Sequence, residues 1–274
     1  MGPLHQSTQI EQEQLSSISA KLHIVLPAYN EEAALPILLS RFSSLSGTIH
    51  TGMVVWIVDD GSSDDTPLIA ERGMRDLDIK LVSHRTNLGL GKALKSGLSA
   101  VLELASTDDA LVVMDADDTH DVGLIPELLI SLQAGAEIAI ASRFTPGGND
   151  STAPLYRRLL SRGASLTLRL AIPGIRTRDL SSGYRAYRVS LLQKAAASWG
   201  DSLIEETGFA CMVELLLKLR AWNPVIQEVP FFLRYDLKRS PSKLQIGKTA
   251  LQYFKIVVRG RSWVRQPTAE CSKP

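Results

Sequence analysis

With two cysteines, Cys211 and Cys271, in 274 residues, the chain has too few thiols for a disulfide framework or a structural zinc site. Both are read as reduced and inert. It also lacks any apolar run near the roughly 18 residues that cross a bilayer. The longest candidates are ALVVM at 110–114 and KIVV at 255–258, so an integral membrane protein is not expected. The opening MGPLHQSTQIEQEQLSS has neither the basic start nor the apolar core of a signal peptide. Gln6 stands where a myristoylation motif needs Ser or Thr. The expected location is the cytoplasm, including the cytoplasmic face of a membrane as a peripheral protein.

Two common nucleotide-binding signatures are missing as well. Leu94 occupies the place of the last glycine of G-x-G-x-x-G, and Ala93 follows Gly91-Lys92 where a P-loop needs Ser or Thr. Dinucleotide and P-loop NTPase readings lose their support. The composition is ordinary, with 45% hydrophobic residues, 22% charged residues and a net charge of +1. These values fit one globular domain with a filled core and no nucleic-acid partner.

What is present is an alternation of short β-branched runs with helical patterns. Strands are expected at 23–27, 53–58, 79–84, 110–114 and 137–142, separated by helices at 31–42, 65–74, 90–104 and 122–133. Repeated βαβ units predict an α/β fold whose mostly parallel sheet is covered by helices on both faces. Further helices are expected near 155–171 and 208–220, with a strand in PVIQEVPFFLRY at 224–235. Residues 1–20 read as a polar tail, 21–235 as the single domain and 236–274 as a basic extension.

In open parallel sheets, ligands sit beyond the carboxyl ends of the strands. Three such ends are acidic: Asn30-Glu31-Glu32, Asp59-Asp60 and Asp115-Ala116-Asp117-Asp118. The spacing of Asp115 and Asp117 lets two carboxylates converge on Mg²⁺ or Mn²⁺, which could grip a diphosphate. Standing alone, such a triplet reads more readily as a helix cap. Asn87, Gly89, Gly91 and Lys92 open a helix, where backbone N–H groups and a cation face an anion.

The runs VLPAYNEEAAL, VDDGSSDDT, NLGLGKALKSGL and MDADDTH follow one another over residues 21–143. In order and spacing they resemble family 2 glycosyltransferases with the GT-A (Rossmann-like) fold. That resemblance assigns Pro27, Tyr29, Glu31, Asp60, Asn87, Gly89, Lys92, Asp115 and Ala116 to a nucleotide-diphosphate sugar, and Asp115 and Asp117 to the metal. Ala141-Ser142-Arg143-Phe144, Arg157-Arg158-Leu159-Leu160-Ser161 and Thr177 to Arg185 narrow it to the dolichyl or polyprenyl phosphate mannose synthases. Gly208-Phe209 with Glu214, Glu228-Val229-Pro230 and Ser242-Lys243-Leu244 continue it to about residue 260.

The narrower resemblance implies inverting transfer of a hexose, mannose by analogy, to a polyprenyl or dolichyl phosphate. Asp117, Arg143, Arg157 and Arg185 are then the catalytic candidates. Arg157, Arg158, Ser161, Ser182, Arg239 and Lys243 are the candidates for the acceptor phosphate. Thr119 departs from the family pattern by replacing a glutamine that commonly follows the acidic pair. The stretch Arg239 to Lys243 replaces a glycine-containing loop, so the late cation is one of Arg234, Lys238 and Arg239.

Charge patterning supports a phosphate ligand independently. From Arg143 to Arg188 there are nine arginines and no lysine, against Asp150 and Asp179 alone. The rigid guanidinium fork suits phosphate oxygens. From Arg234 to Arg265 nine basic residues face one acid, Asp236. Read as a helix from about Lys243, this stretch groups Leu244, Ile246, Ala250, Leu251, Tyr253, Phe254, Val257 and Val258 on an apolar side. Lys248, Gln252, Lys255 and Arg259 fall on the other. Such a basic amphipathic helix can lie in an anionic lipid surface or dock on its own domain.

A phosphate acceptor is already ionised near neutral pH and needs no protein base. A sugar hydroxyl acceptor would need one, and Glu205 and Glu206 are the candidates. A non-catalytic nucleotide-sugar binding module is the remaining reading.

Overall fold

The computed structural model describes residues 20–49, 51–172, 174–240 and 246–263. Lys243 and nearly all of the expected polar tail lie outside them. Seven strands form one sheet: β1 (Leu22–Ala28), β2 (Met53–Asp59), β3 (Ile79–Ser83), β4 (Ala110–Val113), β5 (Ile138–Ser142), β6 (Arg185–Arg188) and β7 (Ile226–Pro230). Their order is β3-β2-β1-β4-β6-β5-β7. All pair in parallel except β6, which runs antiparallel to both β4 and β5.

Eight helices among the described residues complete the fold. They are α1 (Leu35–Ser46), α2 (Thr66–Gly73), α3 (Leu90–Leu102), α4 (Ile125–Gln133), α5 (Leu155–Ala171), α6 (Val189–Trp199), α7 (Cys211–Leu219) and α8 (Ile246–Trp263). Pro36, Pro67 and Pro126 stand in the first turns of α1, α2 and α4, where a missing N–H costs nothing. Alternate residues of the strands feed two cores. Ile24, Leu26 and Val112 pack with α1 and α4 on one face. Val25, Val58 and Val113 pack with α3, α6 and α7 on the other. Burial on both faces explains why β1 and β2 read as unbroken apolar runs.

Two elements differ from expectation by addition. Strand β6 is the four-residue RAYR, and α6 follows it directly. Helix α8 also sits differently from its predicted faces. Gln252 is buried and Ile256 fully so, while Leu251, Phe254 and Val258 are exposed beside Lys255 and Arg259. The inward face is thus the one bearing Gln252, Ile256, Gly260 and Trp263, and α8 packs it against α5 and α7.

Candidate active site

Parallel pairing puts the carboxyl ends of β1, β2, β4, β5 and β7 on one rim, and a cavity of about 1340 Å³ opens there. The first two tips are tied together. Asn30 N donates to Ser62 Oγ at 2.9 Å, Ser63 N to Asn30 Oδ1 at 2.9 Å and Glu31 N to Thr66 Oγ1 at 2.8 Å. Pro27, Tyr29, Glu31 and Asp60 line the cavity from this side. Asp60 also shapes the next loop. Its Oδ1 accepts from Leu88 N at 2.9 Å and meets His84 Nδ1 at 2.7 Å, and its Oδ2 accepts from Gly89 N at 2.8 Å. Asn87 and Gly89 therefore reach the cavity, with Gly89 at φ +91°, a region open to glycine. Lys92, expected at the same anion site, is exposed on α3 and does not line the cavity.

Asp115, Ala116 and Asp117 form the floor at the tip of β4. Beneath them His120 stacks on Tyr184 with ring centroids 5.0 Å apart. His120 Nδ1 accepts the Asp115 N–H at 3.0 Å, which directs the ring proton to Nε2. Burial pushes the Asp115 carboxyl above its usual range, with His120 acting against the rise. Asp117 is also buried, yet Lys238 beside it holds its carboxyl below the usual range. Thr119, in the place of the family's glutamine, donates to Asp117 Oδ1 from Oγ1 at 2.7 Å and from N at 3.2 Å.

Among the described residues no three His, Cys, Asp or Glu side chains are grouped to hold a metal. Asp115 and Asp117 nevertheless fit a magnesium-like ion. Such ions take one or two carboxylates and leave their other positions to phosphate oxygens and water.

The predicted phosphate cluster belongs to the same cavity. Arg143, Arg157, Arg158, Ser161 and Ser182 all line the cavity, joined by Ser181. Arg143 is gripped by Asp179 through Nε and Nη2, both at 2.8 Å, and its Nη2 also reaches Ser181 Oγ at 2.7 Å and Ser161 Oγ at 3.2 Å. Burial works against charge at both partners. Their pairing nevertheless raises the Arg143 pKa and lowers that of Asp179. Arg157 lies over the Tyr235 ring at 5.3 Å.

Two further expectations are corrected, and the open choice of a late cation is narrowed. Arg185 does not face the cavity: it is 0% exposed within β6, and its guanidinium donates to the carbonyls of Met212 at 2.6 Å and Leu180 at 2.7 Å. Arg239 is exposed and lies off the cavity wall. Arg234 pairs with Asp236 outside the cavity, leaving Lys238 as the late cation that enters it.

Sequence reasoning did not anticipate the cavity's second arm. It runs between α5 and α8, lined by Leu159, Leu160, Ala164, Tyr253, Phe254 and Val257. On the same two helices Leu155, Leu166, Leu170, Leu251 and Val258 are exposed, Leu170 by 79%. The signal was in the sequence as apolar residues set among the arginines of α5, where only the charges were read. Glu205 and Glu206 do not line the cavity. Glu205 is paired with Lys218 at 3.1 Å and Arg259 at 2.8 Å.

Residues 23–195 match the model of Glycosyl transferase family 2; the chain belongs to that family. Among curated relatives, it is 32% identical to a dolichol-phosphate mannosyltransferase of Pyrococcus furiosus over 89% of its own length and 64% of that protein's, which is the longer chain. It is 33% identical to a polyprenol monophosphomannose synthase of Mycolicibacterium smegmatis, covering 87% of each. An undecaprenyl-phosphate mannosyltransferase of Micrococcus luteus is 33% identical over 79% of this chain and 85% of its own. The fold is shared with glucosyl-3-phosphoglycerate synthase from Mycobacterium tuberculosis, solved with Mn²⁺ and uridine diphosphate. There the TM-score is 0.62 at 20% identity, covering 94% of this chain and 84% of that one. The architecture is the GT-A fold.

Proposed function

We propose that this glycosyltransferase moves a hexose, with mannose favoured, from a nucleotide-diphosphate sugar to a polyprenyl phosphate, with inversion at the anomeric carbon. One observation carries the reading. One cavity is lined by an acidic strand tip, an arginine and serine cluster and apolar residues of α5 and α8, helices that also carry exposed leucines. A nucleoside diphosphate, a phosphate headgroup and an isoprenoid tail need those three environments in one cavity. The named activities of the mannosyltransferase relatives fit the same combination.

The chain's own residues divide the work. Pro27, Tyr29, Asp60, Asn87 and Gly89 form the nucleoside end. Arg157 and Arg158, with Arg143 held by Asp179, present the acceptor phosphate, whose second pKa of about 6 leaves an oxygen ready to attack without a protein base. When bound by Asp115 and Asp117, Mg²⁺ or Mn²⁺ would supply neutralising charge for the departing diphosphate. Lys238 adds a fixed cation at the same end. Neither glutamate lines the cavity, and Glu205 is held by Lys218 and Arg259, which supports a phosphate acceptor over a sugar hydroxyl.

No helix among the described residues is long and apolar enough to cross a membrane. The exposed apolar residues of α5 and α8, flanked by Arg162, Arg169, Lys255 and Arg259, suit peripheral attachment to an anionic lipid surface, at its cytoplasmic face. In this scheme residues 21–235 are the transferase domain, and the extension over 236–274 supplies Lys238 and one wall of the lipid arm. The test is a panel of nucleotide sugars offered with a short polyprenyl phosphate and Mn²⁺ or Mg²⁺, with product mass as readout. Transfer to water or to free sugars in preference to the lipid phosphate would overturn the assignment.

A further inference from the structure

The glycines that open α3 lie directly on another stretch of backbone. Gly91 N donates to Thr207 O at 2.9 Å. A Cβ on Gly91 would meet Glu206 O at 1.7 Å, and one on Gly89 would meet Thr207 O at 2.6 Å. The segment 205–207 therefore acts as the mould for the turn Asn87–Gly91, whose Asn87 and Gly89 line the nucleoside end.

The mould has no regular secondary structure of its own. It is held by one carboxylate. Glu214 Oε2 accepts from Glu205 N at 2.9 Å and Glu206 N at 2.8 Å, and Oε1 accepts from Lys218 Nζ at 2.7 Å. Both side chains are 0% exposed. A buried carboxylate with two N–H donors and an ammonium is fully compensated, and its geometry is tightly set. Glu214 itself does not line the cavity.

We propose that Glu214 is a positioning residue for the donor-binding turn Asn87–Gly91, acting through the backbone of residues 205–207. The proposal rests on reading the cavity as a nucleoside-diphosphate site. Its influence passes through the Thr207–Gly91 hydrogen bond and two Cβ-free contacts, and these lead to the donor end of the cavity, which Thr207 itself also lines.

The experiment compares Glu214→Gln with the parent in the full chain. It measures calorimetric binding of GDP and UDP with Mn²⁺, the KM for donor and for acceptor, and amide exchange at Gly91. We expect nucleotide affinity to fall on the order of tenfold, the worth of a hydrogen bond to a charged group. The acceptor KM should stay unchanged, and Gly91 should exchange faster relative to the rest of α3. Gly91→Ala disturbs the same contact from the other side and should show the same donor-only defect, which keeps the test decisive where Glu214→Gln does not fold. Glu205→Gln removes a partner of Lys218 and Arg259 but spares both backbone bonds to Glu214, and should bind nucleotide as the parent does. Parental affinity in Glu214→Gln or Gly91→Ala, or equal losses for donor and acceptor, overturns the proposal. Because binding needs no acceptor, a chain that holds nucleotide yet fails to glycosylate lipid phosphate would sink the proposed reaction and leave the brace standing.

Discussion

Lys238 and Asp117, 121 residues apart in the chain, meet as an ion pair at the floor of the cavity. Burial alone would depress the lysine, but the Asp117 carboxylate holds its pKa above the ordinary value. Lys238 holds Asp117 Oδ2 and Thr119 holds Oδ1, so a divalent ion bound at Asp117 would have to compete with or share one of these contacts. Lys238→Gln should therefore tighten Mn²⁺ binding in the absence of nucleotide by about tenfold, the scale of one charge-assisted hydrogen bond. Electron paramagnetic resonance of free Mn²⁺ reads this directly, and unchanged affinity would show that the pair does not compete with metal.

Asp117→Ala should lower transfer to lipid phosphate by roughly 10² to 10³, the usual loss when a leaving group's charge stabilisation is removed. Chelation of divalent ions should have a comparable effect on the parent and little further effect on the variant. Product formation with a short polyprenyl phosphate measures both.

Asp179 ties acid stability to the phosphate cluster. Its pKa is depressed in the folded chain, so its stabilising share is present above the unfolded value of about 3.9 and is lost as pH falls below it. Between about pH 4 and pH 2 the parent should lose stability more steeply than Asp179→Asn. At neutral pH the parent should be the more stable of the two, and the gap should narrow as the pH falls. Removing one partner of a buried pair costs about 3–5 kcal/mol, and denaturant titration at both pH values gives the comparison.

Glu205→Gln and Glu206→Gln should each transfer to lipid phosphate within about threefold of the parent. Loss of a true general base costs roughly 10² or more. A drop of that size in either would restore the hydroxyl-acceptor reading.

Leu251→Ser with Val258→Ser removes two exposed apolar side chains of α8 that stand outside the cavity wall. Burying a large apolar side chain contributes about 1.5–3 kcal/mol, so affinity for anionic vesicles should fall tenfold or more. Turnover of a detergent-dispersed short acceptor should remain. Cosedimentation and the soluble assay separate the two.

The donor half was readable because each of its elements is written locally. Buried parallel strands appear as runs such as MVVWIV, and acidic or glycine-rich turns follow them at regular intervals. The acceptor half was harder, since its arginines look alike in sequence and differ only in partners. Asp150, buried in the fold, takes Arg158 at 3.2 Å and Arg162 at 2.7 Å, and Asp179 takes Arg143. Arg185 and Arg188 donate to main-chain carbonyls. The strand RAYR escaped notice because arginines at both ends mask a four-residue element whose centre, Ala186-Tyr187, is fully buried. The burial of Gln252 on α8 depends on its docking against Gly208 and could not follow from helical periodicity alone.

Helix α8 lies some fifty residues past the end of the family match, yet Tyr253, Phe254 and Val257 furnish one wall of the reaction chamber. On the proposed reading, a segment outside the family match thus completes, together with α5 inside it, the part of the cavity offered to the acceptor. Changes confined to α8 would then alter the size and greasiness of the acceptor space while leaving the residues of the β4 tip in place.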